Sequence, residues 1–362
     1  MVCLDSLSTY NHRNIHNATW DFSHKHIFFV GNNGQGKTNL LESIYCLFRG
    51  NSFRTHSPRH LCTFGTDAMW LRGICSRSNI QTVLYAYSDK KRMVQLDDQP
   101  IHSRASMIQH FPCIPFVSED IEMVVGSPEH KRKFLNQSLI IEDVQIRTQL
   151  SQFLKILKQR NMALKQGATQ ELDALTHQFI HIGCEIQEKR KRFFENHAAI
   201  ISNLSHQVSD GEFTIRLEYR PSWKSTEYEE IDISMKSNRE RERITKITHS
   251  GPHRDSYRLY LNEVPISLGG SMGQQRIAAL LLRMMQAQIY IQAHGMEVVY
   301  LFDDVLLELD EEKKRNFIAR LPKYTQAFFT FLPSESLSYY NDTDSIVYTI
   351  EGGRGAKNTE NR

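Results

Sequence analysis

The chain has 362 residues, of which 40% are hydrophobic and 23% are charged, and its formal net charge is +3. This length accommodates one large domain with an insertion, or two domains, and is ample for a well-buried core. The small net charge permits nucleic-acid binding without arguing for it, so local basic patches must meet any anionic partner. No apolar stretch is long enough to cross a bilayer, and the N-terminus lacks the basic and apolar blocks of a secretion signal.

The six cysteines are scattered along the chain without a C-x-x-C pair. Most of them lie within apolar runs, which is typical of buried thiols in a reducing compartment. We therefore expect a cytoplasmic protein that does not enter a membrane.

The first predicted element is a strand at residues 27–30, which leads into the phosphate-loop pattern G-x-x-x-x-G-K-[ST]. Glycines let successive backbone N–H groups turn toward an anionic phosphate, and the following helix aims its positive end at the same charge. Lys37 is predicted to reach the β- and γ-phosphates of ATP, and Thr38 to hold Mg²⁺. The predicted nucleotide-binding residues of this segment are Gly31, Asn32, Asn33, Gly34, Gln35, Gly36, Lys37, Thr38 and Asn39.

Strand-like alternation and turn residues predict a β-rich layer beside this loop, with strands at residues 68–75, 81–87 and 93–96. The strand-like alternation ends at Pro128. Apolar residues then recur at helical spacing in two stretches joined near Gly167, which predicts a helical hairpin that projects as an arm. A long helix pair buried inside a single core is the alternative, because the apolar stripe alone does not separate the two.

The expected domains are residues 1–130, the first part of an ATPase head; residues 131–209, the helical arm; and residues 210–362, the second part of the head. Within the last part, we expect a strand at 213–219, a polar loop at 221–243, a hairpin at 258–265 and a frayed tail at 352–362.

A second anion site is predicted where Ser271, Gly273 and Gln274 precede an amphipathic run at residues 277–288. A serine and a glycine at a helix N-terminus present N–H groups to an anion. Because one nucleotide does not need two such sites on one subunit, we expect this one to close on ATP held by a second copy of the chain. The alternative is a simple helix cap and glycine turn.

The apolar run at residues 298–302 predicts a buried parallel strand that ends in Asp303 and Asp304. Carboxylates at the carboxyl end of such a strand face the crevice where ligands bind. Asp303 is predicted to orient Mg²⁺ with Thr38, and Asp304 to polarise the attacking water, so Asp303, Asp304 and Lys37 are the candidate catalytic residues.

The order of these motifs is that of an ABC-type ATPase head, and the chain resembles the RecF family of bacterial recombination mediators over nearly its whole length. The blocks that carry the resemblance are GNNGQGKTN at 31–39, FVSED at 116–120, GSP at 126–128, LKQRN at 157–161, SGPHRD at 250–255, SMGQQR at 271–276 and LFDDVLLELD at 301–310. The expected fold is therefore α/β: a P-loop ABC-type ATPase head with an inserted α-helical arm.

The resemblance implies an ATP-dependent DNA-binding protein of recombinational repair and replication restart. It implies ATP and Mg²⁺ as cofactors, an ATP-dependent homodimer, and binding to single-stranded, gapped or junction DNA. It also implies cooperation with RecO-like and RecR-like proteins in loading the recombinase. Basic residues at 131–133, 155–160 and 189–192, with Arg49, Arg54, His56, Arg59 and His60, are the candidates for a cationic DNA cleft.

Three departures from common ABC heads limit which residue roles the resemblance implies for this chain. Asp304 stands where Glu is usual, which implies slow hydrolysis. Glu119 or Asp120 is assigned to the loop between head and arm, in the absence of a clear glutamine, and Thr330 replaces the switch histidine as γ-phosphate sensor. The alternatives are an SMC-like chromosome-organising head, which needs an arm of hundreds of residues where about eighty are present here, and a transporter ATPase subunit, which would be expected to carry Glu after Asp303.

Overall fold

The computed structural model describes residues 2–101, 104–307, 309–335 and 344–357. Its strands are Cys3–Tyr10 (β1), Ala18–Asp21 (β2), His26–Val30 (β3), Met69–Ser76 (β4), Thr82–Ser88 (β5), Lys91–Leu96 (β6), Gln99–Pro100 (β7), Cys113–Phe116 (β8), Ile215–Arg220 (β9), Ser256–Leu261 (β10), Val264–Pro265 (β11), Val298–Phe302 (β12), Tyr324–Phe331 (β13), Ser345–Glu351 (β14) and Arg354–Lys357 (β15). Its helices are Lys37–Arg49 (α1), Arg104–His110 (α2), Pro128–Glu142 (α3), Ile146–Gln166 (α4), Thr169–Val208 (α5), Tyr228–Ser237 (α6), Arg239–Thr245 (α7), Ile266–Gly269 (α8), Met272–His294 (α9) and Glu311–Ala319 (α10). Among these residues, no helix is both long and apolar enough to span a bilayer.

The chain forms two compact units, and the first comprises residues Met1–Glu119 and Gln286–Arg362. One of its sheets has the strand order β15-β14-β3-β13-β12-β8, in which every pair except β15–β14 is parallel. The short apolar run of β12 is buried at every position, as expected for a central parallel strand. The carboxyl ends of β3, β13 and β12 therefore meet at one edge of the sheet.

The second sheet of this unit is antiparallel, with the order β2-β1-β4-β5-β6-β7, so the predicted β-rich layer is confirmed. Alternate residues of β4 and β5 point into the core, where they pack with α1 and the parallel sheet around Leu7, Phe29, Leu41 and Val83. This packing fixes α1 against the sheet.

Gln326, a fully buried polar residue of β13, ties the two sheets together. Its side-chain NH₂ donates to the carbonyl oxygens of Phe22 (2.6 Å) and Leu4 (3.0 Å), and its oxygen accepts from the Leu4 N–H (2.8 Å). A buried amide is tolerated only when it is paired in this way.

The second unit, Asp120–Met285, contains α3 to α8, β9 to β11 and the first part of α9. As predicted, two long helices meet at Gly167, which closes α4 in the left-handed conformation with φ 73°. Ala163 and Leu164 of α4 pack against Leu172 of α5 at this end of the hairpin. The division of the chain at residues 130/131 and 209/210 stays a prediction.

The expectation of a polar loop at residues 221–243 is wrong. This segment contains α6 and begins α7, and Ile231 and Met235 are buried one helical turn apart on α6. The many charged residues of the 221–243 segment mask this narrow apolar stripe, which is sufficient to dock a short helix.

Two arginines expected in the cationic cleft are buried in the second unit instead. Arg160 is 1% exposed, and its guanidinium donates to Glu242 (2.6 Å), Thr248 (2.7 Å) and Thr176 (3.0 Å). A buried cation is tolerated only when paired and hydrogen-bonded, so Arg160 serves the fold and not a DNA surface.

Arg190 on α5 has the same structural role. It donates to the Asp255 carboxylate (2.7 Å) and the Pro252 carbonyl oxygen (2.6 Å), and Tyr219 donates to the same carboxylate. Burial, and next the nearby Asp255 charge, raise the pKa of the Tyr219 hydroxyl above its ordinary value of 10. Two family blocks, LKQRN and SGPHRD, thus supply buried contacts that hold the hairpin.

We predict that Glu242→Ala lowers the free energy of unfolding by about 3–5 kcal/mol, because it leaves the buried Arg160 charge without its partner. Urea denaturation followed by circular dichroism measures this. The control is Glu240→Ala on the same helix, whose side chain is 77% exposed and whose loss changes stability by about 0.5 kcal/mol or less. Equal effects of the two substitutions would contradict the structural role of the pair.

Candidate nucleotide site

The predicted phosphate loop is a tight turn between β3 and α1. Gly34 and Gly36 have φ angles of 79° and 113°, which favour glycine. At Gly31 a Cβ would lie 2.4 Å from the Ile350 carbonyl oxygen, so a side chain there would clash with β14. The loop therefore needs its glycines both for backbone conformation and for close packing.

Lys37 and Thr38 begin α1, at the positive end of its dipole. Lys37 is 4% exposed, and its ammonium donates to the carbonyl oxygens of Gly31 (2.7 Å) and Asn32 (3.3 Å). A cavity of about 230 Å³ opens beside them, lined by Asn33, Gly34, Gly36, Lys37, Thr38, Asn39, Arg54 and Asp304. Backbone N–H groups and two cations border this space, with one carboxylate.

The structure brings together Thr38 and Asp303, which belong to the two separate sequence segments of the first unit. The Thr38 hydroxyl donates to the Asp303 carboxylate at 2.8 Å. Burial raises the pKa of Asp303 from 3.8 to about 6, and the neighbouring Asp304 charge acts in the same direction, while the hydrogen bonds from Thr38 and Thr330 oppose it. A cation placed beside this carboxylate would stabilise its ionised form.

Thr330, at the end of the neighbouring strand β13, holds Asp304 in place. The Asp304 N–H donates to the Thr330 oxygen at 2.8 Å, and the Thr330 hydroxyl lies 2.8 Å from the Asp304 carboxylate and 3.3 Å from that of Asp303. Asp304 has φ 54°, a backbone conformation that is uncommon outside glycine and is concentrated at functional sites. Thr330 therefore orients both aspartates.

The C-terminal segment, expected to fray from residue 352, instead supports the phosphate loop. β14 and β15 form a hairpin through Gly352 and Gly353, with φ 54° and 77°, the geometry that a two-residue hairpin turn requires. The Gly352 N–H donates to the Gln35 side-chain oxygen (2.6 Å), and the Gly353 N–H donates to the Gln35 carbonyl oxygen (2.9 Å). Of the expected tail, residues 358–362 lie outside the described residues, as does Glu308 of the LFDDVLLELD block.

Three residues near the cavity escaped the sequence-based assignment to the nucleotide site. Arg54 donates to the Asn39 side chain (2.7 Å), which in turn donates to Asn14 (2.7 Å) from the turn after β1. Glu335 lies close enough for the charges of Asp304 and Lys37 to act on it, and burial raises its pKa. Neither Asn14 nor Glu335 has a local sequence pattern that reveals its position, and the sequence predicts Arg54 only as part of the cationic cleft.

In the second unit, Ser271 precedes α9 and caps it. The Gln274 N–H donates to the Ser271 hydroxyl (3.3 Å), and the Ser271 N–H donates to the Gln274 side-chain oxygen (2.8 Å). This reciprocal pair is a capping box, and Ser271 is exposed. The cap is therefore present, and it leaves the serine on the surface.

Of the two residues assigned to the loop between head and arm, Glu119 is exposed, whereas Asp120 is buried and paired with Arg283 of α9 at 2.5 Å.

The chain is similar to known proteins both in sequence and in structure. No family model matches the chain. DNA replication and repair protein RecF of Treponema pallidum is 34% identical over 349 residues, covering 96% of this chain and 99% of the relative. The RecF protein of Staphylococcus carnosus is 30% identical over 364 residues, covering 97% and 98%.

Among solved structures, the recombination mediator protein RecF-ATPrS of the RecFOR pathway superposes with a TM-score of 0.86 at 25% identity and covers 98% of both chains. An SMC head domain from Pyrococcus furiosus superposes with a TM-score of 0.57 at 14% identity over 99% of this chain and 96% of that one, and so shares the fold alone. Fold and site thus define a P-loop ATPase head of the ABC type, as predicted. The chain belongs to the RecF family of DNA replication and repair proteins.

We predict that Asp303→Asn stabilises the protein without nucleotide or divalent metal at pH 8. The folded pKa of about 6 lies above the ordinary 3.8, so the wild-type free energy of unfolding falls as pH rises from about 4 to about 6. Each pH unit by which a pKa moves corresponds to about 1.4 kcal/mol, so the gain is on the order of 1–3 kcal/mol.

Urea denaturation at pH 8 and pH 5 checks this, with the exposed Asp89→Asn as control. The advantage of Asp303→Asn should shrink at pH 5, where the wild-type carboxyl is largely protonated. An advantage of the same size at both pH values would contradict the assigned ionisation.

Proposed function

We propose that this protein is an ATP-dependent DNA-binding protein of recombinational DNA repair and replication restart. It binds ATP with Mg²⁺, forms a homodimer on ATP, and binds single-stranded, gapped or junction DNA. In the cytoplasm it works with RecO-like and RecR-like proteins to help load the recombinase. The observation that carries the proposal is the 2.8 Å hydrogen bond between Thr38 and Asp303 at the phosphate-loop cavity.

The ATP part of the proposal is supported by the chemistry of the cavity. Backbone N–H groups of Gly34 and Gly36 and the N-terminus of α1 suit phosphate oxygens, and the Lys37 ammonium exchanges its loop carbonyl partners for the β- and γ-phosphates. The Thr38 hydroxyl and the Asp303 carboxylate are hard oxygen donors of the kind that Mg²⁺ prefers, so these two residues fit a magnesium site. When bound, Mg²⁺ neutralises phosphate charge.

Asp304 is the proposed base that orients the attacking water. Its carboxylate already accepts a hydrogen bond from Thr330, and its side chain is one methylene shorter than that of Glu. Both features reduce its reach and basicity toward water. We infer a weak ATPase, stimulated by DNA, that serves as a switch, with Thr330 as the sensor that couples the γ-phosphate to the two aspartates.

The proposed dimer brings Ser271, Gly273 and Gln274 of one copy to the nucleotide of the other. Ser271 is exposed at the positive end of α9, a helix long enough to present a full dipole. A head of this kind is expected to dimerise in a member of the RecF family.

The SMC-like alternative loses support because α4 and α5, with 21 and 40 residues, are far too short for an SMC arm.

For DNA, the candidates are the basic residues whose charges remain at the surface. Lys155 and Lys158 on α4 and Lys191 on α5 are exposed, unlike Arg160 and Arg190. Lysines of this kind neutralise backbone phosphates without reading sequence, and binding that depends on them weakens steeply with salt.

We predict that Lys37→Ala weakens ATP binding about tenfold to a hundredfold, because a hydrogen bond to a charged group contributes about 1.5–3 kcal/mol. Titration with a fluorescent ATP analogue measures the affinity. The exposed Lys91→Ala is the charge-matched control and should bind as the wild type does. Unchanged affinity in the Lys37 variant would mean that the segment is a structural turn only.

We predict that Ser271→Arg keeps the ATP affinity of the monomer but abolishes ATP-driven dimerisation, because the side chain fills the space proposed for the partner's γ-phosphate. Analytical ultracentrifugation with and without ATP separates the two properties. Ser234→Arg, at an exposed serine of α6, adds the same bulk and charge as a control. Normal dimerisation of the Ser271 variant would reduce this motif to a helix cap.

A further inference from the structure

A second cavity, of about 200 Å³, lies within the second unit beside the segment that leads to α9. Its polar lining residues are Lys131 at the start of α3, Arg258 on β10 and Ser267 on α8. The remaining lining residues are apolar, and no carboxylate is among them. Two cations and a hydroxyl from three separate elements thus converge on one space.

Neither cation has a carboxylate partner among the residues that the structure describes. The Lys131 ammonium lies 5.8 Å from the ring centre of Tyr257, and both burial and the Arg258 charge lower the pKa of Lys131. Glu218 is paired with Arg258 in the β9–β10 register, but its carboxylate is held by Arg216 (3.0 Å) and Arg220 (2.9 Å). Arg258 and Ser267 are exposed and Lys131 is half-buried, so the site is open to solvent, and the mutual repulsion of the two cations favours an anion that binds between them.

We propose that this cavity binds a phosphate group, held by Lys131, Arg258 and Ser267. A phosphate presents oxygens in several directions, which suits an ammonium, a guanidinium and a hydroxyl that approach from different elements. The source is either the backbone of DNA or the phosphate chain of a nucleotide carried by a second copy. Only the choice between these sources rests on the proposed function, because the two cations and the hydroxyl suit a phosphate from either source.

Pulse acylation of lysines, followed by mass spectrometry, tests the site in the full chain. The reagent attacks the neutral amine, and a bound phosphate both covers the Lys131 amine and favours its charged form, so it should protect Lys131 several-fold. Three probes are compared: inorganic phosphate with Lys37→Ala protein, in which the phosphate loop is silenced; a short DNA duplex without nucleotide; and ATP with Mg²⁺ without DNA. Lys224, exposed in the same unit, is the internal control.

Lys131→Gln and Arg258→Gln distinguish the sources, with Lys224→Gln as control. If DNA supplies the phosphate, the duplex protects Lys131, and each variant lowers the slope of log affinity against log salt by about 1 while ATP-driven dimerisation is unchanged. If the nucleotide of a second copy supplies it, ATP protects Lys131, and the variants weaken the dimer instead.

The proposal is overturned if none of the three probes protects Lys131 and both variants behave as Lys224→Gln does. A wild-type protein that fails to bind DNA would refute the DNA part of the proposed function alone. In that case the inorganic phosphate arm still decides whether the cavity is an anion site.

Discussion

The hydrogen bond between the Thr38 hydroxyl and the Asp303 carboxylate joins residues 265 positions apart in the chain, and the site depends on it. It requires β3 and β12 to end at the same edge of the sheet, with β13 between them. Thr330 on β13 then reaches both Asp303 and Asp304. Because successive strand side chains point to opposite faces, a slip of β13 by one residue would turn Thr330 away from them.

The register of β13 is itself secured by a contact far from the site. Gln326, four residues before Thr330, bonds to the backbone of Leu4 and Phe22. Its buried amide has these partners only when the strand is in its observed position, and an unpaired amide there would cost about 1–3 kcal/mol. The antiparallel sheet thus helps to aim the side chains of the parallel one.

The features that the sequence predicts best are those that depend on a few adjacent residues. Lys37 and Thr38 follow glycines that only a phosphate loop needs in that order, and Asp303 follows a run of five buried residues. The helical hairpin at Gly167 is likewise encoded by spacing and one helix end. The Gly352–Gly353 pair is a local hairpin signal too, but its polar surroundings favour a tail, and the pairing of β14 with β3 is a long-range contact that no local pattern shows.

Long-range partners explain what the sequence did not predict. Nothing local shows that Arg160 meets Glu242 and Arg190 meets Asp255, so their charges suggested a DNA surface rather than a buried network. The reverse holds for Arg258, which stands in no basic run yet shares a cavity with Lys131. A count of basic residues therefore predicts a DNA surface poorly until each charge is matched with its partner.

We propose that each nucleotide is sandwiched between the phosphate loop of one copy and Ser271 of another. The most direct measurement mixes Lys37→Ala protein with Ser271→Arg protein and follows dimer formation and ATP hydrolysis. The mixed dimer keeps one complete site, formed by the intact loop of the Ser271 variant and the intact Ser271 of the Lys37 variant. We predict that the mixture regains part of the wild-type dimerisation and hydrolysis, whereas a mixture no more active than the two separate variants would contradict the sandwich.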